Sequence, residues 1–248
     1  MKIVADFDGR FQLYSMYLNA YVARHGYGES QIHDALRGPT DPAAIADLVS
    51  VAGGCAAPGG DNPCIDGKFH KGDDGAMERV FADGGAAGDV GYSERSFYFE
   101  LGKERAFALV PMPYGPTPVN LMYVDALVDS AARCAANPCA ADAAAFAKFL
   151  DSPDTRSFIA FADDLRAGGA SVPPRHLLPA TRSFYALPRV ASDPVYAAVA
   201  PVIASARPMP TVIEAGMLKD LDGRICAALK TRLPTYACTA PTSQGTSQ

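Results

Sequence analysis

The apolar positions of the chain change period several times, and each change marks an element. Lys2-Ile3-Val4-Ala5-Asp6-Phe7 reads as a short buried strand with Asp8-Gly9 as the turn behind it. Leu13, Met16, Tyr17, Ala20 and Tyr21 then recur at helical spacing, and Gly26 and Gly28 supply the stop. A second helix is predicted over residues 41–51, with Asp41 as N-cap and Pro42 in its first turn. Residues 52–75 are rich in Gly, Pro, Asp and Asn and read as loop, and 74–83 return to a helical pattern. Asp89-Val90-Gly91-Tyr92-Ser93-Glu94, continued by Ser96-Phe97-Tyr98-Phe99, reads as strand or strand with a bend.

Phe107-Ala108-Leu109-Val110 predicts another strand, closed by the proline-rich stretch from Pro111 to Pro118. Residues 120–128 fit strand or helix, and their valines and flanking proline favour strand. Helices are expected over 141–167 with a break at Asp151-Ser152-Pro153-Asp154, then a loop at 173–180, helices at 193–205 and 212–230, and a disordered tail after Cys238. Strands alternating with helices define an α/β class. No internal repeat is visible.

Composition narrows the reading. At 248 residues, 49% of them apolar, the chain buries a full core, as one large domain or as two lobes of about 100 residues. A net charge of −5 excludes the basic footprint of a nucleic-acid partner. No apolar run approaches the ~18 residues of a membrane span. Met1-Lys2-Ile3-Val4-Ala5-Asp6 also lacks the apolar stretch of a signal peptide, which by itself reads as cytoplasmic.

The cysteines point elsewhere. Cys55/Cys64, Cys134/Cys139 and Cys226/Cys238 are close in sequence and even in number, the pattern of local disulfides formed in an oxidising compartment. Scattered thiols, or zinc on Cys134 and Cys139, are the competing readings, and no second tight Cys/His pair supports zinc. His25, His33, His70 and His176 are dispersed and are expected in loops or at the surface. A secreted or periplasmic location follows if a leader precedes Met1.

In a strand of period two, Tyr92 and Glu94 share a face, and so do Tyr123 and Asp125. Facing each other, the two pairs would give two aromatic rings and two carboxylates around one cavity, suited to a flat, nitrogen-rich ligand. Against this stands the bland alternative of half-exposed strand faces.

The order Val4-Ala5-Asp6-Phe7-Asp8-Gly9, Tyr17-Leu18-Asn19-Ala20-Tyr21, Asp61-Asn62-Pro63-Cys64, Gly91-Tyr92-Ser93-Glu94-Arg95, Tyr123-Val124-Asp125-Ala126 and Arg175-His176-Leu177-Leu178-Pro179-Ala180 resembles thiaminase I, thiamine pyridinylase. The resemblance implies a type II periplasmic-binding-protein-like fold, two lobes with ligand in the cleft. It divides the chain into a second-lobe α/β region over 1–110 and a return to the first lobe with C-terminal helices over 111–238, and 239–248 remain as tail. It implies exchange of the thiazolium of thiamin for an organic base at the pyrimidine methylene, by a monomer without cofactor or metal.

By the same resemblance Glu94 is the general base toward a cysteine that adds to the pyrimidine, and Tyr92, Ser93, Tyr123 and Asp125 hold the ring. The family's nucleophilic cysteine lies upstream of the strand that opens this chain. The first lobe is therefore expected to be incomplete and the site not self-sufficient. A solute receptor for thiamin or a related pyrimidine, and an inactive remnant, are the alternatives.

Overall fold

The computed structural model describes residues 1–7, 12–71, 75–98, 107–123, 139–163, 174–210 and 216–238. It is a mixed fold in which helices surround two small parallel sheets. Strand β1 (Ile3–Ala5) pairs with β2 (Gly88–Val90), with Val4 opposite Asp89. The second sheet joins β3 (Leu121–Met122) to β4 (Arg207–Pro208). The other edge of β1 is not left open. Lys2 N–H donates to Gly54 O at 3.0 Å, and the Ala5 N–H points at Cys64 Sγ at 3.2 Å.

Helix α1 (Gln12–His25) is the axis of the main core. Its predicted apolar stripe is present, yet Gln12, Ser15 and Asn19 are buried too. An α-helix covered on nearly every side must satisfy such polar groups internally, and Asn19 does so twice. Its Nδ2 donates to Ser15 O at 2.8 Å, and its Oδ1 accepts from Leu121 N–H at 2.9 Å, which ties β3 to the helix. Gly26 stops α1 at φ +83°, a conformation that suits glycine.

Helices α2 (Glu29–Arg37) and α3 (Pro42–Gly54) pack on α1. Asp41 caps α3 as the sequence predicts, its carboxylate accepting from Ala43 and Ala44 N–H at 2.8 and 2.7 Å. Two shorter helices follow, α4 (Lys68–Lys71) and α5 (Ala76–Ala82).

The later helices are α6 (Ala140–Leu150), α7 (Pro153–Ala160), α8 (Arg182–Tyr185), α9 (Pro188–Ala191), α10 (Pro194–Ser205) and α11 (Met217–Arg232). Helix α11 returns to the main core through Leu221, Ile225 and Leu229 and contacts α1, α2 and α3. A second cluster, Ala160, Phe161, Phe184, Val190 and Tyr196, unites α7 with α8, α9 and α10. Helix α6 has no buried residue, and Phe146 and Phe149 stand exposed on it.

Disulfides Cys55–Cys64 and Cys226–Cys238 are formed, each with 6.0 Å between Cα atoms. Cys139 is also bridged, and Cys134 lies outside the described residues, as does the tail after Cys238. No described helix is long and apolar enough to cross a membrane.

Two strand expectations are corrected. Residues 107–110 form no strand; Val110 is 71% exposed, and the prolines that follow deny the segment a ladder partner. β2 ends at Val90, and Ser93–Tyr98 winds into a 3-10 turn. The physical reason is tertiary: Arg95 N–H bonds Tyr92 O at 3.0 Å, and its guanidinium is drawn onto the buried Glu78.

Candidate functional site

Tyr92 comes two residues after β2, and Tyr123 directly follows β3. Both therefore sit at carboxyl ends of parallel strands, where open α/β sheets usually place ligands. Between them stands the first turn of α1. The Tyr92 and Tyr123 rings meet edge to face, centroids 6.2 Å apart at 82°, and Tyr123 meets Tyr14 at 6.1 Å and 64°. The Tyr92 hydroxyl is in hydrogen-bond contact with Ser15 Oγ. Three aromatic walls and one serine hydroxyl thus converge.

The phenols of Tyr14 and Tyr123 stay protonated. Burial, then the proximity of Tyr92 and Asp222, raises the Tyr14 phenol well above its ordinary value. Burial raises Tyr123 likewise, against a smaller opposing contact with Ser15. The hydroxyl of Tyr123 is buried with no well-formed hydrogen-bond partner among the described residues.

One carboxyl, Asp222, borders the tyrosines, and a second, Asp89, lies in the strand that precedes Tyr92. Asp222, on α11, is pushed by burial up to about 6, while a hydrogen bond from the Tyr14 backbone N–H draws it down. Asp89, on β2, is pushed up to about 7 by burial and then by the Glu78 carboxylate, against the pull of Arg95. Glu78 is fully buried and holds Arg95 by two hydrogen bonds, the second at 3.2 Å, and Arg95 lies 5.1 Å from the Tyr98 ring centre. One acid is therefore committed to an arginine, and two titrate near neutrality, Asp222 beside the rings and Asp89 beside the Glu78–Arg95 pair.

Of the residues singled out in the sequence, Tyr92 and Tyr123 are brought together. The strand geometry that would have aligned Tyr92 with Glu94 is replaced by the 3-10 turn, in which Ser93 is the first residue and Glu94 the second. The Glu94 side chain and Asp125 lie outside the described part of the structure.

Sequence reasoning missed Tyr14, Ser15, Asp89 and Asp222. For Asp89 a signal existed, an acid inside a three-residue strand. Asp222 gave none, because Lys219-Asp220-Leu221-Asp222-Gly223-Arg224 reads as a solvated helix face.

His176 was expected in a loop or at the surface; it is in a loop but 3% exposed, at φ +47°. It lies 3.5 Å from Asp193 and against the Tyr196 ring, within the second core. Asp163 pairs with Arg189. A surface hollow formed by Glu29, Ser30, His33 and Asp34 belongs to α2 alone and is far from this chemistry in character. Among the described residues, no group of three or more His, Cys, Asp or Glu is arranged to hold a metal ion. Comparison of the chain with protein-family models, curated proteins and solved structures finds no match.

Proposed function

We propose that the chain carries the aminopyrimidine-binding face of a thiaminase I-like transferase, built on a two-lobed fold of the type II periplasmic-binding kind. The observation that supports this reading is the meeting of Tyr92 and Tyr123 at the carboxyl ends of two parallel strands, with Tyr14 as a third ring. Aromatic walls of this kind take a flat ring by offset or edge contact. Carboxyls at the border accept its amine protons. In this reading Glu94 is the base that takes the proton of an attacking thiol, Ser93 lines the turn, and Asp125 is the charge partner of the ring edge.

A second reading is favoured by one observation. Every described cysteine is locked in a disulfide, so none of these supplies the thiolate that a transferase needs. A receptor that binds thiamin or a related pyrimidine without cleaving it requires no thiolate.

One experiment separates the two. Thiamin is titrated into the chain by calorimetry, then incubated with the chain and an amine while the exchanged pyrimidine is sought by mass. Saturable binding with turnover that falls about a hundredfold or more in Glu94→Gln supports the transferase. Binding without turnover that persists when a cysteine-bearing first lobe is supplied in trans supports the receptor. Absence of binding refutes both.

A further inference from the structure

The carboxylate of Asp222 is divided between two tasks, and only one of them is fulfilled by the protein. Its contact with the Tyr14 N–H caps the first turn of α1 from a helix more than two hundred positions later in the chain. Its Oδ1 is buried and meets no hydrogen-bond donor among the described residues. Among the described residues no lysine or arginine acts on it, and its charge is felt instead by the phenols of Tyr14 and Tyr123.

Capping alone does not account for this arrangement. A serine or asparagine caps a helix as well as aspartate does, without leaving a charged oxygen in a dry setting that penalises it. An unpaired carboxylate oxygen beside aromatic rings is suited to a ligand that is flat and brings its own N–H.

We infer that Asp222 is a ligand-binding carboxylate of the tyrosine site, with Oδ1 accepting an N–H from the exocyclic amine of a flat heteroaromatic ring. This rests on the aminopyrimidine reading above and adds to it a residue that selects amine-bearing rings over rings that lack the amine. The role is one of binding and positioning; no bond forms or breaks at Asp222.

The test uses two probes, the methylated aminopyrimidine half of thiamin and its analogue with hydrogen in place of the exocyclic amine. With eleven tyrosines and no tryptophan in the chain, quenching of tyrosine emission reports ring binding directly, and calorimetry gives the affinities. The wild-type chain should prefer the amine-bearing probe by about tenfold to a hundredfold, the worth of one hydrogen bond to a charged acceptor. In Asp222→Asn, whose amide oxygen still caps α1, that preference should collapse to about threefold or less, with the amine-free probe bound as before.

Asp222→Ser, which retains an oxygen for capping, is the second variant and should lose the preference in the same way; far-UV circular dichroism confirms that each variant is folded. An unchanged preference in a folded variant, or equal binding of the two probes by the wild type, overturns the role of Asp222 and leaves the ring site standing. Failure of the wild type to bind either probe overturns the ring site and the role of Asp222 together.

Discussion

Replacing Asp89 with asparagine should make the protein less sensitive to rising pH, and the size of the effect follows from the surroundings of that carboxyl. Asp89 is held at about 7 in the folded chain against an ordinary value of 3.8. An acid whose folded value is raised binds a proton in the folded state that it has lost in the unfolded state throughout the interval between the two. Stability therefore falls as pH rises through that window.

Between pH 5 and pH 7 the loss from this one group integrates to about 2 kcal/mol, since each pH unit inside the window withdraws about 1.4 kcal/mol until the folded group begins to ionise. Asparagine fills the same space without the charge. Urea unfolding at both pH values, for wild type and Asp89→Asn, gives the double difference directly. Wild type should lose about 2 kcal/mol more than the variant over that interval. Parallel losses would refute the account and would mean that Arg95, not burial and Glu78, governs Asp89.

Other consequences are open to the same kind of measurement. Glu78→Gln removes the buried anion that raises Asp89 and holds Arg95; it should cost about 2 kcal/mol in denaturant and bring the Asp89 titration, followed by NMR, to a lower pH. Replacing Cys55 and Cys64 together by serine frees a loop with a sequence separation of 9 and should lower stability by about 2–3 kcal/mol, measured against wild type under oxidising conditions. Tyr92→Phe forfeits the contact with Ser15, with an expected cost of about 1 kcal/mol and a reduced thiamin affinity; unchanged affinity would remove the Tyr92 hydroxyl from the binding face.

What the sequence disclosed depended on the range over which each signal acts. Asp41 followed by Pro42 announces a helix start within three residues, and α3 begins there. The short spacing of Cys55 and Cys64, and of Cys226 and Cys238, likewise anticipates the two bridges. The segment Ser93–Tyr98 reads in sequence as strand or strand with a bend and folds as a 3-10 turn, because the force that bends it, the attraction of Arg95 to Glu78, comes from another helix.

The pairing of Tyr92 with Tyr123 was legible as two similar short motifs. The acid beside the rings was not. Asp222 reaches the site only because Leu221, Ile225 and Leu229 anchor α11 against α1, and side-chain period alone cannot announce that a helix face turned toward water in pattern is turned toward another helix in fact. His176 illustrates the same limit, a loop residue drawn into a core by Asp193 and Tyr196.

The join between Phe7 and Tyr236 sets a schedule for synthesis. The Tyr236 hydroxyl donates to Phe7 O at 2.8 Å across 229 residues of chain, and the two rings meet edge to face. The Ala237 N–H bonds Ile65 O at 2.9 Å. On a ribosome, the first strand and α1 emerge long before α11 and Tyr236 exist to cover them. Growing at about 5–20 residues per second, the nascent chain carries its most extensively buried helix without its final neighbours for on the order of ten seconds or more. Holding chaperones would fill that interval, and yield from a host in which they are depleted should fall.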